Sequence, residues 1–268
     1  MAAFSGSEGP GESATTGAAI PTPAGRESDE PPRPASQRAL LTGASSGIGR
    51  EVALHLARDG HRLALASRRR PALEETRAAC AAPSQHAVIP VDLTSSPAVS
   101  EAVARAQDQV GPLDTLVHCA GTALFGNVEE TTDEIWRQML EDNLSSLFHT
   151  VRSVIPLFRR EGRGHIVALL SIASRRGFPG SSAYTAAKFG ALGFLESVRA
   201  EVRGEGIHVT TVFAGATDTP LWDRLGDQWD RARMMAPEQV ARVIAAVLRD
   251  TSSGMVEEIQ VGPVGGAL

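Results

Sequence analysis

From Arg38 to the end of the chain, short apolar runs alternate with stretches of helical periodicity, and this alternation limits the fold more than any other feature. The runs Ala39-Leu40-Leu41, Leu63 to Ala66, Ala87 to Val91 and Leu116 to His118 have strand length and almost no polar positions. Between them, apolar spacing predicts helices over Ile48 to Arg58, Pro71 to about Ala81, and about Pro97 to Gln109. Two longer helical segments follow, Asp133 to Arg160 and Ser182 to Val202, each beside a strand, Ile166 to Leu170 and His208 to Phe213. A kink is predicted at Pro156, which lacks an N–H. Pro237 to Arg249 and Val256 to Val261 close the chain as helix and strand. Strands with so few polar positions need cover on both faces, which implies a parallel sheet between two helical layers. Right-handed crossovers then make this a doubly wound α/β sheet in a single domain.

Residues 1–36 differ in kind, being rich in Gly, Pro, Ser, Ala and Glu with almost no large apolar side chains. Such a stretch cannot bury enough surface to offset its ordering entropy, so it reads as a disordered tail ahead of a domain spanning 37–268. A net charge of -5 argues against a nucleic-acid or anionic-membrane partner. No apolar run approaches the ~20 residues that span a bilayer, and no signal-peptide pattern opens the chain. The two cysteines, Cys80 and Cys119, form no CxxC, which suits a reducing cytoplasm, the expected location. The seven histidines are scattered, with no HExxH or Cys/His cluster, so no metal is expected.

Two local patterns carry chemistry. Directly after the first strand comes Thr42-Gly43-Ala44-Ser45-Ser46-Gly47-Ile48-Gly49-Arg50, a glycine-rich turn opening a helix. Glycines there allow a tight turn and a close backbone approach to a pyrophosphate, which the free N–H groups of the helix start attract. The second pattern joins the only tyrosine, Tyr184, to the only lysine, Lys188, four residues on. All other basic residues among the 26 are Arg, so a lysine at this one place calls for a reason specific to lysine. On a helix the two share a face, where an ammonium is expected to pull the phenol's pKa down towards neutrality. At the end of the second strand stands Ser67-Arg68-Arg69-Arg70, without the acid that binds a ribose 2′-hydroxyl. Ser67 and Arg68 suit a 2′-phosphate, hence NADP(H), with Arg50 adding charge nearby and Arg69 and Arg70 read as a solvated turn.

The GxxxGxG spacing after Thr42, together with YxxxK, resembles the short-chain dehydrogenase/reductase family over almost everything from Arg38 onward. The resemblance implies a Rossmann-like fold and a nicotinamide cofactor contacted by Thr42, Gly43, Ser45, Ser46, Gly47, Ile48, Gly49 and Arg50. It extends the cofactor contacts to Asp92 and Leu93 after the third strand, Ala120 and Gly121 after the fourth, and Gly215, Thr217 and Thr219 after the sixth. His118-Cys119 replaces the family's usual pair of asparagines, and Ala214 replaces its usual proline. His118 reads as a packed residue able to hydrogen-bond across strands, and Cys119 as a small apolar one. By resemblance the catalytic set is Asn143, Ser171, Tyr184 and Lys188, with Ser171 thirteen residues before Tyr184. Asn143 would hold a water of a proton relay, Ser171 would donate to the substrate oxygen, and Tyr184 would transfer the proton. Lys188 would tune Tyr184 and hold the nicotinamide ribose.

The expected activity is hydride transfer between NADP(H) and a small carbonyl or alcohol substrate. The ending Val256 to Pro263 lacks the glycine-rich close of acyl-carrier-protein reductases and looks more like members acting on simple carbonyls or short hydroxy acids. A rival reading is a non-catalytic NADPH-binding sensor or scaffold that uses the tail to engage a partner; the complete catalytic set weighs against it. Residues from about 217 to 236, with Trp222, Leu225, Trp229, Met234 and Met235, read either as a lid over an apolar pocket or as an amphipathic helix packed on the domain. The resemblance also implies a homodimer or homotetramer packed through the two long helical segments.

Overall fold

The structure is a computed structural model that describes residues 36–226, 229–249 and 255–266; the tail reading falls on residues 1–35, outside the described residues, save Ser36. Among the described residues, seven strands form one sheet in the order β3-β2-β1-β4-β5-β6-β7. They are β1 (Arg38–Thr42), β2 (Arg62–Ser67), β3 (Ala87–Pro90), β4 (Thr115–His118), β5 (Gly164–Ser171), β6 (Ile207–Ala214) and β7 (Glu258–Val261). Every pairing is parallel. The helices are α1 (Gly47–Arg58), α2 (Arg70–Ala79), α3 (Ser96–Val110), α4 (Asp133–Leu140), α5 (Ser146–Glu161), α6 (Ser182–Glu201) and α7 (Pro237–Arg249).

Side chains alternate across the sheet into two cores. Leu40, Leu116, Ile166 and Phe213 bury one face under α3, α5 and α6. Ala39, Leu41, Val117, Val167 and Val212 bury the other under α1 and α7. The doubly wound reading therefore holds. The chain reverses direction across the sheet between β1 and β4, so the loops leaving their carboxyl ends part and open a crevice. The register aligns those ends, with Thr42 beside His118 and Ser171 beside Ala214.

One long element departs from its sequence reading. The segment 133–160 is two α-helices joined by a π-helical turn, Glu141–Ser145, while Pro156 sits inside α5, which runs on to Glu161. Side chains satisfy the carbonyls freed by the wider turn. Asn143 Nδ2 donates to Met139 O at 3.0 Å and Ser146 Oγ to Asp142 O at 2.8 Å. Asn143 Oδ1 in turn accepts the Thr122 N–H at 3.3 Å, so the turn is tied to the loop after β4. Gly162, at φ 64°, ends α5 in the left-handed conformation that glycine tolerates best.

Candidate active site

A cavity of about 1310 Å³ opens along the carboxyl edge of the sheet. One end is built from the turn into α1. Ser45, Ser46, Gly47, Ile48 and Gly49 line it, and Ser46 at the N-cap makes no side-chain cap, nor does the first turn carry an acid. The helix thus presents its free N–H groups and positive end to the cavity, the arrangement a pyrophosphate needs. A Cβ on Gly49 would fall 2.3 Å from Gly43 O, and one on Gly43 would fall 2.7 Å from the Cys119 backbone, so neither position admits a side chain. Ser67, Arg68, Asp92 and Leu93 continue the wall. The Asp92 carboxylate accepts the Thr94 N–H and hydroxyl at 3.0 and 2.8 Å, which hold its pKa below the usual carboxylate value, with Arg68 adding to the effect.

Two residues from the glycine turn stand elsewhere. Thr42 is fully buried behind the wall, its Oγ1 accepting the Ala120 N–H at 3.3 Å and so joining the ends of β1 and β4. Arg50 is not among the lining residues. Arg69, read from sequence as a solvated turn residue, does line the cavity. Its N–H donates to Ser67 Oγ at 3.3 Å and its guanidinium lies 3.5 Å from Ser45 Oγ. Three consecutive arginines are indistinguishable as a string; the start of α2 at Arg70 decides which way each one points.

Asn143, Ser171, Tyr184 and Lys188 come together at the other end. Ser171, at the end of β5, accepts the Ala173 N–H at 3.1 Å and stands beside Tyr184, whose pKa it pulls down in part. Lys188 is only 5% exposed, with Nζ 5.7 Å from the Tyr184 ring centre. A Cβ on Gly121 would lie 2.8 Å from Asn143 Oδ1 and 3.3 Å from Lys188 Nζ, so those two groups converge on a place where only glycine fits. Gly215 donates its N–H to Val261 O at 2.8 Å, and Thr217 Oγ1 donates to Gly215 O at 3.0 Å. Thr219 approaches the turn into α1, since a Cβ on Gly47 would lie 3.1 Å from its side chain.

The electrostatics correct one expectation. Burial raises the Tyr184 pKa, with Ser171 pulling it back in part. Lys188 is itself lowered to about 8 by burial. The buried site disfavours both charged forms, so the phenol's pKa is raised and not lowered. His118 is 2% exposed and neither ring nitrogen has a partner among the described residues, so the cross-strand hydrogen bond is not made. Burial, then the charge of Lys188, lowers it to about 3. Cys119 lines the cavity, but burial pushes its thiol up to about 12, which leaves it unreactive.

Among the described residues from Pro220 to Ala236 stand two short 3-10 turns, Trp222–Arg224 and Arg231–Arg233, and no α-helix. Trp222 and Trp229 line the cavity. Facing them are Phe125 and Phe178, from the loops after β4 and β5, which sequence reading left out because neither belongs to a motif. Among the described residues no group of His, Cys, Asp and Glu could hold a metal ion, and no helix is long and apolar enough to cross a membrane.

A parallel doubly wound sheet thus carries a glycine turn at its crevice and Ser171, Tyr184 and Lys188 at the other end of the same cavity. The sequence pattern of the family described as short chain dehydrogenase matches residues 37–230, and the chain belongs to that family. A sepiapterin reductase of Chlorobaculum tepidum is 32% identical over 235 residues, 85% of this chain and 96% of that protein. A glycine betaine reductase of Emericella nidulans is 35% identical over 234 residues; the match takes in 84% of this chain but only 18% of that protein. Among solved structures, an alcohol dehydrogenase from the archaeon Thermococcus sibiricus complexed with 5-hydroxy-NADP aligns with a TM-score of 0.79 at 25% identity, over 87% of this chain and 99% of that one. Actinorhodin polyketide ketoreductase with NADPH aligns at 0.76 and 28% identity, over 85% and 95%.

Proposed function

We propose that this oxidoreductase is NADP(H)-dependent and transfers a hydride between the nicotinamide and a small carbonyl or alcohol substrate, with Tyr184 as general acid and base. One observation carries the reading. Tyr184, Ser171 and buried Lys188 line the same cavity that begins at the uncapped start of α1, with Lys188 Nζ 5.7 Å from the Tyr184 ring centre. When bound, the cofactor supplies or accepts the hydride. Everything else falls to the chain. In reduction Tyr184 gives its proton to the carbonyl oxygen, and Ser171 donates a hydrogen bond where negative charge gathers. The raised phenol pKa keeps Tyr184 protonated near neutrality, as a proton donor must be. Lys188, at about 8, holds the ribose hydroxyls and exchanges protons near working pH. Asn143 anchors the relay from its π-helical turn.

The absence of a carboxylate at the end of β2, where Ser67, Arg68 and Arg69 line the wall, supports NADP(H) over NAD(H). Two structural relatives were solved with NADP-type ligands, which agrees with it. Residues from about 217 to 236 act as a lid over the substrate end. Trp136 on α4, Phe148 on α5 and Phe189 on α6 are exposed, which supports a homodimer or homotetramer packed through these helices. A panel of ketones and alcohols, followed by NADPH and NADH absorbance, tests the reading. Turnover with clear preference for NADPH is expected; preference for NADH would overturn the cofactor assignment, and no turnover across the panel would overturn the activity.

A further inference from the structure

Five of the chain's twelve aromatic rings meet at the substrate end of the cavity. Phe125 is the hub. Its ring centre lies 5.5 Å from Phe178 and 5.9 Å from Tyr184, both edge-to-face, and 5.7 Å from Trp229 and 6.4 Å from Trp222. The two tryptophans are 5.1 Å apart. These separations fall in the range at which rings attract one another. The rings come from four separate segments, and none is part of the buried core. All five line the cavity, so they keep apolar surface there that only a ligand would cover.

The polar handles of this wall are already engaged. Trp222 Nε1 donates to Thr217 O at 2.8 Å and Trp229 Nε1 to Leu225 O at 3.1 Å, which leaves ring surface and not N–H groups for a ligand. A quaternary ammonium also suits aromatic rings, so the charges around the rings decide whether a cation is favoured there. Here Arg231 bonds both Asp218 and Asp223 at 2.6 Å, a cluster that keeps one net negative charge. At this end the lining carries Arg176, Arg224 and Lys188 against Asp223 and Asp142, so cationic groups outnumber acidic ones. The wall therefore disfavours a cation and offers a neutral ring the most contact.

We infer that the substrate is an uncharged ketone or aldehyde, or the corresponding alcohol, with an aryl group close to the reacting carbon, and that Phe125 and Trp229 set this preference. The inference rests on the proposed hydride-transfer activity. Because the Tyr184 ring belongs to the cluster, a ring seated there lies beside the carbonyl that Tyr184 protonates. In reduction the carbonyl carbon takes the hydride and its oxygen takes the Tyr184 proton, so aryl ketone and NADPH become aryl alcohol and NADP⁺.

Four probes separate the alternatives: phenylacetone, its saturated analogue cyclohexylacetone, pyruvate and betaine aldehyde, each with NADPH. Phenylacetone is expected to exceed the other three by about tenfold or more in kcat/KM. Phe125→Leu and Trp229→Leu, checked for fold by circular dichroism, are expected to erase the phenyl-over-cyclohexyl preference, chiefly through KM. Pyruvate or betaine aldehyde as the better substrate would overturn the inference, as would retention of the preference in both variants. Should no compound be turned over, the proposed activity fails, and tryptophan emission of the unmodified protein with NADPH still decides the binding claim. Quenching by phenylacetone and not by cyclohexylacetone upholds it, and equal or absent quenching overturns it.

Discussion

Lys188 is the only lysine, and its place explains why arginine would not serve there. Its side chain is buried beside Tyr184, and Gly121 leaves just enough room for its ammonium and the Asn143 amide. A guanidinium is wider, planar and always charged, so it neither fits this space nor shares the lowered pKa of about 8. Lys188→Arg is expected to keep the fold and to lower turnover by about a hundredfold, the scale of a misplaced catalytic group. Equal turnover in the two proteins would remove the special role of lysine. Gly121→Ala makes a parallel case. The added methyl meets Asn143 Oδ1 at 2.8 Å, and that amide is held on both sides, so the methyl is expected to displace it, reducing turnover and costing about 1–3 kcal/mol of stability. The pH profile follows from the raised phenol pKa. Reduction uses protonated Tyr184, so its rate is expected to hold through neutral pH and fall in alkali, while alcohol oxidation rises over the same range.

At the scale of elements, the π-helical turn at Glu141–Ser145 is the piece that places Asn143. Asn143→Ala removes the bond to Met139 O and the acceptor of the Thr122 N–H. The loss is expected to cost about 1–3 kcal/mol of stability, read by denaturant unfolding, together with a loss of activity. An unchanged unfolding midpoint would mean the turn does not depend on this side chain. The strands and most helices were readable because their cause is local. The Gly43 to Gly49 turn starts α1, Ser95 and Pro97 start α3, and apolar alternation sets the strands. The π turn was not readable, because its cause is a loop after β4 that folding brings against α4. Pro156 drew the prediction of a kink instead, since a missing N–H is visible in a sequence and a tertiary hydrogen bond is not. The catalytic residues were found through fixed spacings, whereas Phe125 and Phe178 sit in loops without motif, and only the packing shows that they meet Tyr184.

For the molecule as a whole, buried histidines tie stability to pH. Burial lowers the pKa of His61, His86, His118 and His165, the last two to about 3 and about 4. A histidine with a depressed folded pKa binds fewer protons folded than unfolded. Its contribution is therefore complete above the unfolded value of about 6.5 and is lost as pH falls towards the folded one. Each such group removes about 1.4 kcal/mol per pH unit within that window. Thermal scans are expected to show a melting temperature that declines steadily below about pH 6.5; a constant value down to pH 4 would contradict this. The doubly wound sheet holds these imidazoles inside while keeping the carboxyl edge of β1, β4, β5 and β6 open as one crevice. The central claim is that Tyr184 performs proton transfer in a cavity which binds NADPH independently of it. Its most direct test is Tyr184→Phe, measured for NADPH affinity by fluorescence titration and for turnover of a ketone the unmodified protein accepts. Affinity is expected to stay within about twofold while turnover falls by about a hundredfold to ten-thousandfold. Turnover that survives the substitution would contradict the account.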